Sequence, residues 1–308
     1  MEIALQFVLL ALGFVMLGKG ADWFVEGAAG IAMRFGIPQL VIGLTIVAMG
    51  TSAPEAAVSI AAAVKGNADI TIGNIVGSNI LNILVILGLA ASIVPIAVAR
   101  STVRIEIPFM IGVTALLFYQ GRDSSISLAD GGVLMVAFAA YMMYLYTMAM
   151  KSNVDSDLEE PGLPLGRCLL GAVGGLALII AGSNVTVGAA TSIATYAGLS
   201  ERFIGLTIVA LGTSLPELFT SVAAARRGNA DIAIGNIVGS NIFNILFVVG
   251  LSSLIIDIPF ASAFNFDTYV ALGAAVLLWL CVLRTQHLQR WAGALMLMCY
   301  AAYLGYIL

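Results

Sequence analysis

The sequence is short of charge. Only 10% of its 308 residues are Asp, Glu, Lys or Arg, against about 25% in a soluble domain. That leaves too little polar side chain to cover a water-facing exterior. Histidine is nearly absent: His287 stands alone, near Arg284 and Arg290, and reads as part of a polar loop rather than as a catalytic or metal-ligating residue. Cysteine is scarce too. Cys168, Cys281 and Cys299 form no CxxC pair, and their odd number excludes a fully paired disulfide framework. They read as small packing residues in apolar surroundings. The net charge of −4 offers no basic surface for nucleic acid. No glycine-rich phosphate cradle or GxSxG elbow is present, so neither nucleotide-driven chemistry nor hydrolysis is expected, and the chain does not read as an enzyme. No basic region or cleavage motif brackets the first apolar run, which reads as a retained helix rather than a signal peptide.

Apolar residues fill the space that charge leaves. They make up 61% of the chain, with a mean hydropathy of +1.05, and their long runs point to lipid as the main solvent. A membrane-crossing helix needs about 20 mostly apolar residues. Ten stretches qualify: 3–33, 39–64, 70–91, 102–119, 128–150, 165–196, 201–226, 232–254, 267–284 and 289–307. The expected fold is therefore all-α and polytopic, with ten transmembrane helices. The first and sixth are long enough to cross with a strong tilt. The one extended polar stretch, 151–167, carries Asp155, Asp157, Glu159 and Glu160 with two prolines. Residues 151–164 read as an acidic, solvated linker between units 1–150 and 165–308. The acids lack the glycine and spacing of an EF-hand loop.

The two units repeat each other. Residues 43–84 and 205–246 align without a gap at an offset of 162, with 32 of 42 positions identical. Weaker similarity upstream pairs Gly20 with Gly182 and Asp22 with Asn184. Internal symmetry of this kind marks secondary transporters. Five spans per unit is an odd number, so the second unit must enter the membrane from the opposite side and the repeats are expected to be inverted. Charge supports this. Loops after odd-numbered spans hold Arg34, Arg100, Arg104, Lys151, Arg167, Arg226, Arg227, Arg284 and Arg290, while the other side holds Lys65, Arg122 and Arg202. The positive-inside rule makes the richer side cytoplasmic and both termini extracytoplasmic.

Ionisable groups at membrane depth usually serve function. Most acids sit near span ends or in loops, whereas Glu55 and Glu217 each lie near the middle of a span, within GTSAPE and GTSLPE. Pro54 has no N–H and crowds the Gly50 carbonyl, and it pushes Ala53 away from helical geometry. The helix is expected to open just before Glu55, freeing carbonyls around Ala48–Thr51 toward a polar cavity. Gly212, Thr213, Ser214, Leu215 and Pro216 repeat the arrangement. In the next span Asn74, Ser78 and Asn82 share one helical stripe, as do Asn236, Ser240 and Asn244. If the broken helices meet at the midplane, the ligands are all hard oxygens, suited to Ca²⁺, Na⁺ or Mg²⁺ rather than to zinc or copper. Asp22, Glu26 and Lys19 in the first span have uncharged counterparts in the sixth. They read as an outward vestibule or as a mutual ion pair.

The duplicated G-[ML]-GTS-x-PE and GNIVGSNIxNI blocks resemble the alpha repeats of the sodium/calcium exchanger family, within the cation/Ca²⁺ antiporter superfamily. The resemblance implies a prokaryotic inner-membrane antiporter that exchanges Ca²⁺ for Na⁺ by alternating access, without a cofactor and as a monomer. It implies cation ligation by Glu55 and Glu217, by Thr51, Ser52, Thr213 and Ser214, by the backbone oxygens of Ala48 and Ala210, and by Ser78, Asn82, Ser240 and Asn244. It also implies that the first and sixth spans slide together across the other eight. Some prokaryotic members carry aspartate where this chain has Asn244, which leaves two carboxylates here and opens the question of the counter-ion. Exchange against H⁺, a K⁺-dependent exchange and a cation channel are the competing readings. Two desolvated carboxylates are costly to move empty, so a gate that switches only when the site is filled enforces exchange over leak.

Overall fold

The computed structural model describes residues 2–66, 68–152, 163–198 and 210–307. Most of the acidic linker and the first turns of the expected seventh span fall outside these residues. The first half contains α1 (Glu2–Arg34), α2 (Gln39–Thr51), α3 (Ala53–Val64), α4 (Ile70–Ile93) and α5 (Thr102–Asp123), then α6 (Leu128–Ser152). The second contains α7 (Leu165–Tyr196), α8 (Ala210–Thr213), α9 (Leu215–Arg226), α10 (Ala230–Ile255), α11 (Ala263–Leu283) and α12 (Arg290–Ile307). Among the described residues, seven helices are long and apolar enough to cross a membrane, and eight if the bent pair α2–α3 counts as one span. α12 is a full 18-residue helix, but Arg290, Tyr300, Tyr303 and Tyr306 dilute its apolar content.

The bundle is layered by burial. In α10 94% of the apolar stretch is buried and in α4 78%, against 17% in α1 and α6. α4 and α10 are therefore the central helices. The outer helices turn large apolar side chains outward, among them Phe7, Val8, Val15, Leu170, Val173, Val136 and Met143, as a lipid-facing surface requires. α10 meets α2 backbone to backbone: a Cβ on Gly239 would lie 2.8 Å from the Leu44 Cα, and one on Gly235 3.1 Å from the Gly43 Cα. At Gly239 a side chain would force the backbones to shift and at Gly235 it would have to press them apart by a few tenths of an ångström, which is the physical meaning of the Gly235-xxx-Gly239 pattern.

α1 and α7 lie antiparallel in equally close contact. Gly13, Gly20 and Gly27 recur every seven residues and face Gly182, Gly175 and Cys168. A Cβ on Gly175 would stand 2.7 Å from the Gly20 carbonyl oxygen, and one on Gly182 3.1 Å from that of Gly13.

Short strands tie the halves together: β1 (Ile96–Ala97), β2 (Ser125–Ile126), β3 (Ile258–Pro259) and β4 (His287–Leu288). β1 pairs with β4, with Ile96 opposite Leu288, and β2 pairs with β3, with Ile126 opposite Ile258. Ile258 and Leu288 stand 162 residues after Ile96 and Ile126, so the two pairings are one contact made reciprocally.

One expectation is corrected at the surface. Asp22 and Glu26 pair with Arg227, in the turn after α9, at 3.3 and 3.1 Å, and not with the exposed Lys19. The two acids are one helical turn apart, so a single guanidinium spans both. The contact lies at the bundle end that carries Arg34 and Arg226, the end that the charge count assigns to the cytoplasm.

Candidate cation site

The break before each glutamate is narrower than expected. One residue leaves helical geometry in each half: Ser52 at φ −82°, ψ 6° and Ser214 at φ −90°, ψ 4°. Ala53 and Leu215 already belong to the next helix, because proline is tolerated in a helix's first turn. The result is a 51° bend between α2 and α3. The Ala48 carbonyl is not left free. It accepts the Ser52 N–H at 3.0 Å and the Ser240 hydroxyl at 3.3 Å.

The bends turn both glutamates inward. Glu55 and Glu217 are each 1% exposed, and each is held by the other half. Ser52 donates to Glu217 Oε1 at 2.7 Å, and Ser214 donates to Glu55 Oε1 at 3.2 Å. The asparagines behind them match. Asn74 donates to the Ser59 hydroxyl oxygen at 2.9 Å and reaches the Glu55 carbonyl at 3.3 Å, while Asn236 donates to Ser221 at 2.9 Å and reaches the Glu217 carbonyl at 3.4 Å. Thr51 Oγ1 lies 3.0 Å from Asn236 Oδ1 and 3.1 Å from the Val47 carbonyl.

A second reciprocal layer lies where α4 and α10 cross. Asn79 donates to the Asn241 carbonyl and Asn241 to the Asn79 carbonyl, both at 3.2 Å. Asn82 donates to Asn241 Oδ1 at 2.9 Å, and Asn244 to Asn79 Oδ1 at 3.1 Å. Asn244 therefore does what Asn82 does: it gives an N–H to an amide oxygen. An ionised aspartate in its place has no proton to give.

After these bonds four buried oxygens lack any donor: Glu55 Oε2, Glu217 Oε2, Asn82 Oδ1 and Asn244 Oδ1. There are two per half, in equivalent positions. Unsatisfied buried acceptors are costly, and here they include two carboxylates. Among the described residues no third Asp, Glu, His or Cys joins the pair. Hydrogen bonds join Glu55 with Ser214, Glu217 with Ser52, and Thr51 and Ser240 with the Ala48 carbonyl, while Asn82 and Asn244 belong to the second layer with Asn241 and Asn79. Ser78 is buried in α4, Thr213 closes α8 and Ala210 opens it. Sequence reasoning did not single out Asn79 and Asn241, although both stand in the repeated GSNI block that could have flagged them. They lock the two central helices together.

An all-helical membrane protein with paired carboxylates sealed between two matching halves has the make-up of a secondary cation transporter. The chain belongs to the sodium/calcium exchanger protein family, whose model matches residues 5–147 and 168–308. It is 33% identical to the sodium/calcium exchanger MaX1 of Methanosarcina acetivorans over 98% of both chains. It is 40% identical to the inner membrane protein YrbG of Escherichia coli, over 80% of this chain and 79% of that one. Its fold superposes on the sodium-calcium exchanger NCX_Mj soaked without Na⁺ or Ca²⁺, with a TM-score of 0.87 and 33% identity, covering 99% of this chain and 100% of that one. As a member of this family it is a membrane antiporter of the cation/Ca²⁺ class.

Proposed function

We propose that the protein exchanges Ca²⁺ for Na⁺ by alternating access, with the ions held by Glu55, Glu217, Thr51, Ser52, Thr213, Ser214, Ser78, Asn82, Ser240, Asn244 and the carbonyls of Ala48 and Ala210. The four donor-less oxygens carry this reading. They are hard ligands, and Ca²⁺ takes about 6–8 such oxygens in a flexible cage. Two carboxylates and one Ca²⁺ neutralise each other, as do two carboxylates and two Na⁺, so either load removes the charge that opposes passage through a closed state.

The architecture behind this reading is ten spans in two inverted five-helix repeats, 1–150 and 165–308, joined by the cytoplasmic linker 151–164. The strand pairings support the inversion. β1 follows the third span of its half and β4 the fourth span of the other, and successive loops lie at opposite ends of a bundle. Such strands meet only if the halves run in opposite senses. Both termini then face away from the cytoplasm, in the inner membrane of a prokaryote, and the site is complete within one chain. The glycine-lined pairing of α1 with α7 suits a unit that slides as one body, since their outer faces meet mainly lipid.

The test is Ca²⁺ uptake into proteoliposomes loaded with Na⁺, with choline replacing Na⁺ in the control. Uptake that depends on the Na⁺ gradient supports the reading. Uptake that persists in choline and follows a pH gradient makes H⁺ the counter-ion. Flux that neither saturates nor needs a counter-ion makes the protein a channel.

A further inference from the structure

A second buried carboxylate lies apart from the central pair. Glu106 closes a π-helical turn, Thr102–Glu106, at the start of α5, and is 1% exposed. Turns of this kind often accompany functional sites, and this one has no partner in the second half, where the equivalent residues begin the regular helix α11. The residue equivalent to Glu106 is Thr268, whose hydroxyl is satisfied by the Phe264 carbonyl. Glu106 is thus an added acid and no remnant of the repeat.

Its surroundings are rich in oxygen and poor in positive charge. Tyr144 of α6 donates its hydroxyl to Glu106 Oε1. The other carboxyl oxygen, Oε2, has no donor, and neither the Thr102 hydroxyl nor the Tyr141 hydroxyl has a partner. Thr102 is wholly buried and Tyr141 is 4% exposed. Thr102 lies one helical turn before Glu106 on the same face, and Tyr141 lies three residues before Tyr144 on α6. Asp231, in the first turn of α10, is near enough for its charge to act on Glu106. α11 contributes Trp279, whose indole N–H is spent on the Val103 carbonyl at 2.9 Å. Among the described residues the only ion pairs are those of Arg227, so no side-chain cation balances Glu106.

We propose that Glu106, Thr102, Tyr141 and Tyr144 form a second site that holds one monovalent cation, a proton or Na⁺, independent of the paired glutamates. Glu106 supplies the cluster's one carboxylate, whose charge a monovalent ion cancels, and Asp231 adds negative potential that favours a cation there. A proton on Oε2 turns that oxygen into a donor for one of the two idle hydroxyls. Na⁺ would instead draw Oε2 and both hydroxyl oxygens around itself.

The test uses the full-length protein in lipid, with Glu106→Gln as the neutral near-isostere and Tyr144→Phe as a second variant. Infrared spectra of the wild type read the protonated carboxyl stretch at a pH between 5 and 9, and thermal melts at constant ionic strength compare NaCl with choline chloride. A carboxylic-acid band that Glu106→Gln removes and Tyr144→Phe shifts identifies the proton. Stabilisation by Na⁺ that survives Glu55→Gln but is lost in Glu106→Gln identifies Na⁺. An ionised Glu106, with Na⁺ stabilisation unchanged in both variants, overturns the proposal. The band shift in Tyr144→Phe keeps the test decisive even if Glu106→Gln fails to fold.

Discussion

Gly174 and Gly175 are neighbours in sequence, yet alanine should act on them in opposite directions. A Cβ at Gly175 would stand 2.5 Å from the Phe24 N and 2.7 Å from the Gly20 carbonyl oxygen, both on the backbone of α1, whereas one at Gly174 meets nothing within 4 Å. Ordinary contact begins near 3.4 Å, so Gly175→Ala must push the helices apart by roughly 0.9 Å. A gap of about 0.5–1 Å forfeits a quarter to a half of the dispersion attraction of the facing atoms. Overpacking of this kind costs about 1–3 kcal/mol. Gly174→Ala changes no contact and gains up to ~1 kcal/mol of helix propensity. In detergent, thermal unfolding should place Gly175→Ala on the order of 5 °C below the wild type, with Gly174→Ala level or slightly above. Ca²⁺ uptake should fall in Gly175→Ala alone, because α1 and α7 would no longer move as one body. Equal melting of the two variants, or a Gly175→Ala protein as stable as the wild type, would refute backbone contact between these helices.

Glu55→Gln and Glu217→Gln should each lower Na⁺-driven Ca²⁺ uptake by at least about 100-fold, equivalent to about 2.7 kcal/mol, and uptake near the wild-type level in either would remove that glutamate from the site. Asn79→Ala deprives the Asn244 amide and the Asn241 carbonyl of their partners, so it should cost about 2–4 kcal/mol, read as a lowered melting midpoint. Arg227→Ala removes a half-exposed ion pair and should change stability by no more than about 1 kcal/mol. A larger loss in melting experiments at physiological salt would mean that the pair carries more of the contact between α1 and α9 than its exposure suggests.

The candidate ligands could be named from the sequence, and little of the wiring between them could. Proline after a GTS triplet announces a bend, and a glutamate placed there in both repeats announces a site, because each signal is local. That Ser52 serves Glu217 and not Glu55 is not local. An offset of 162 says which residues are equivalent but not which ones touch. The position of the break followed from a competition that the motif leaves open. The residue before proline is restricted, yet the first turn of a new helix accepts proline, and the second effect moved the bend to Ser52. Asn79 and Asn241 were hidden among neighbours with the same repeat signal, since their role lies in a helix crossing that no periodicity encodes. Asp22 and Glu26 were matched to the nearest charge in sequence, while the fold supplied Arg227 from the other half.

The strand clasps carry one more consequence. Every contact that joins the halves through β1–β4 and β2–β3 is made between one half's residue and the other half's non-equivalent residue, twice over. A half folded alone would leave both of its strands and its one paired glutamate waiting, and all of them could be met by a second copy of itself. Two chains cut between residues 152 and 163 should reassemble when made together, each half acting as the template on which the other closes.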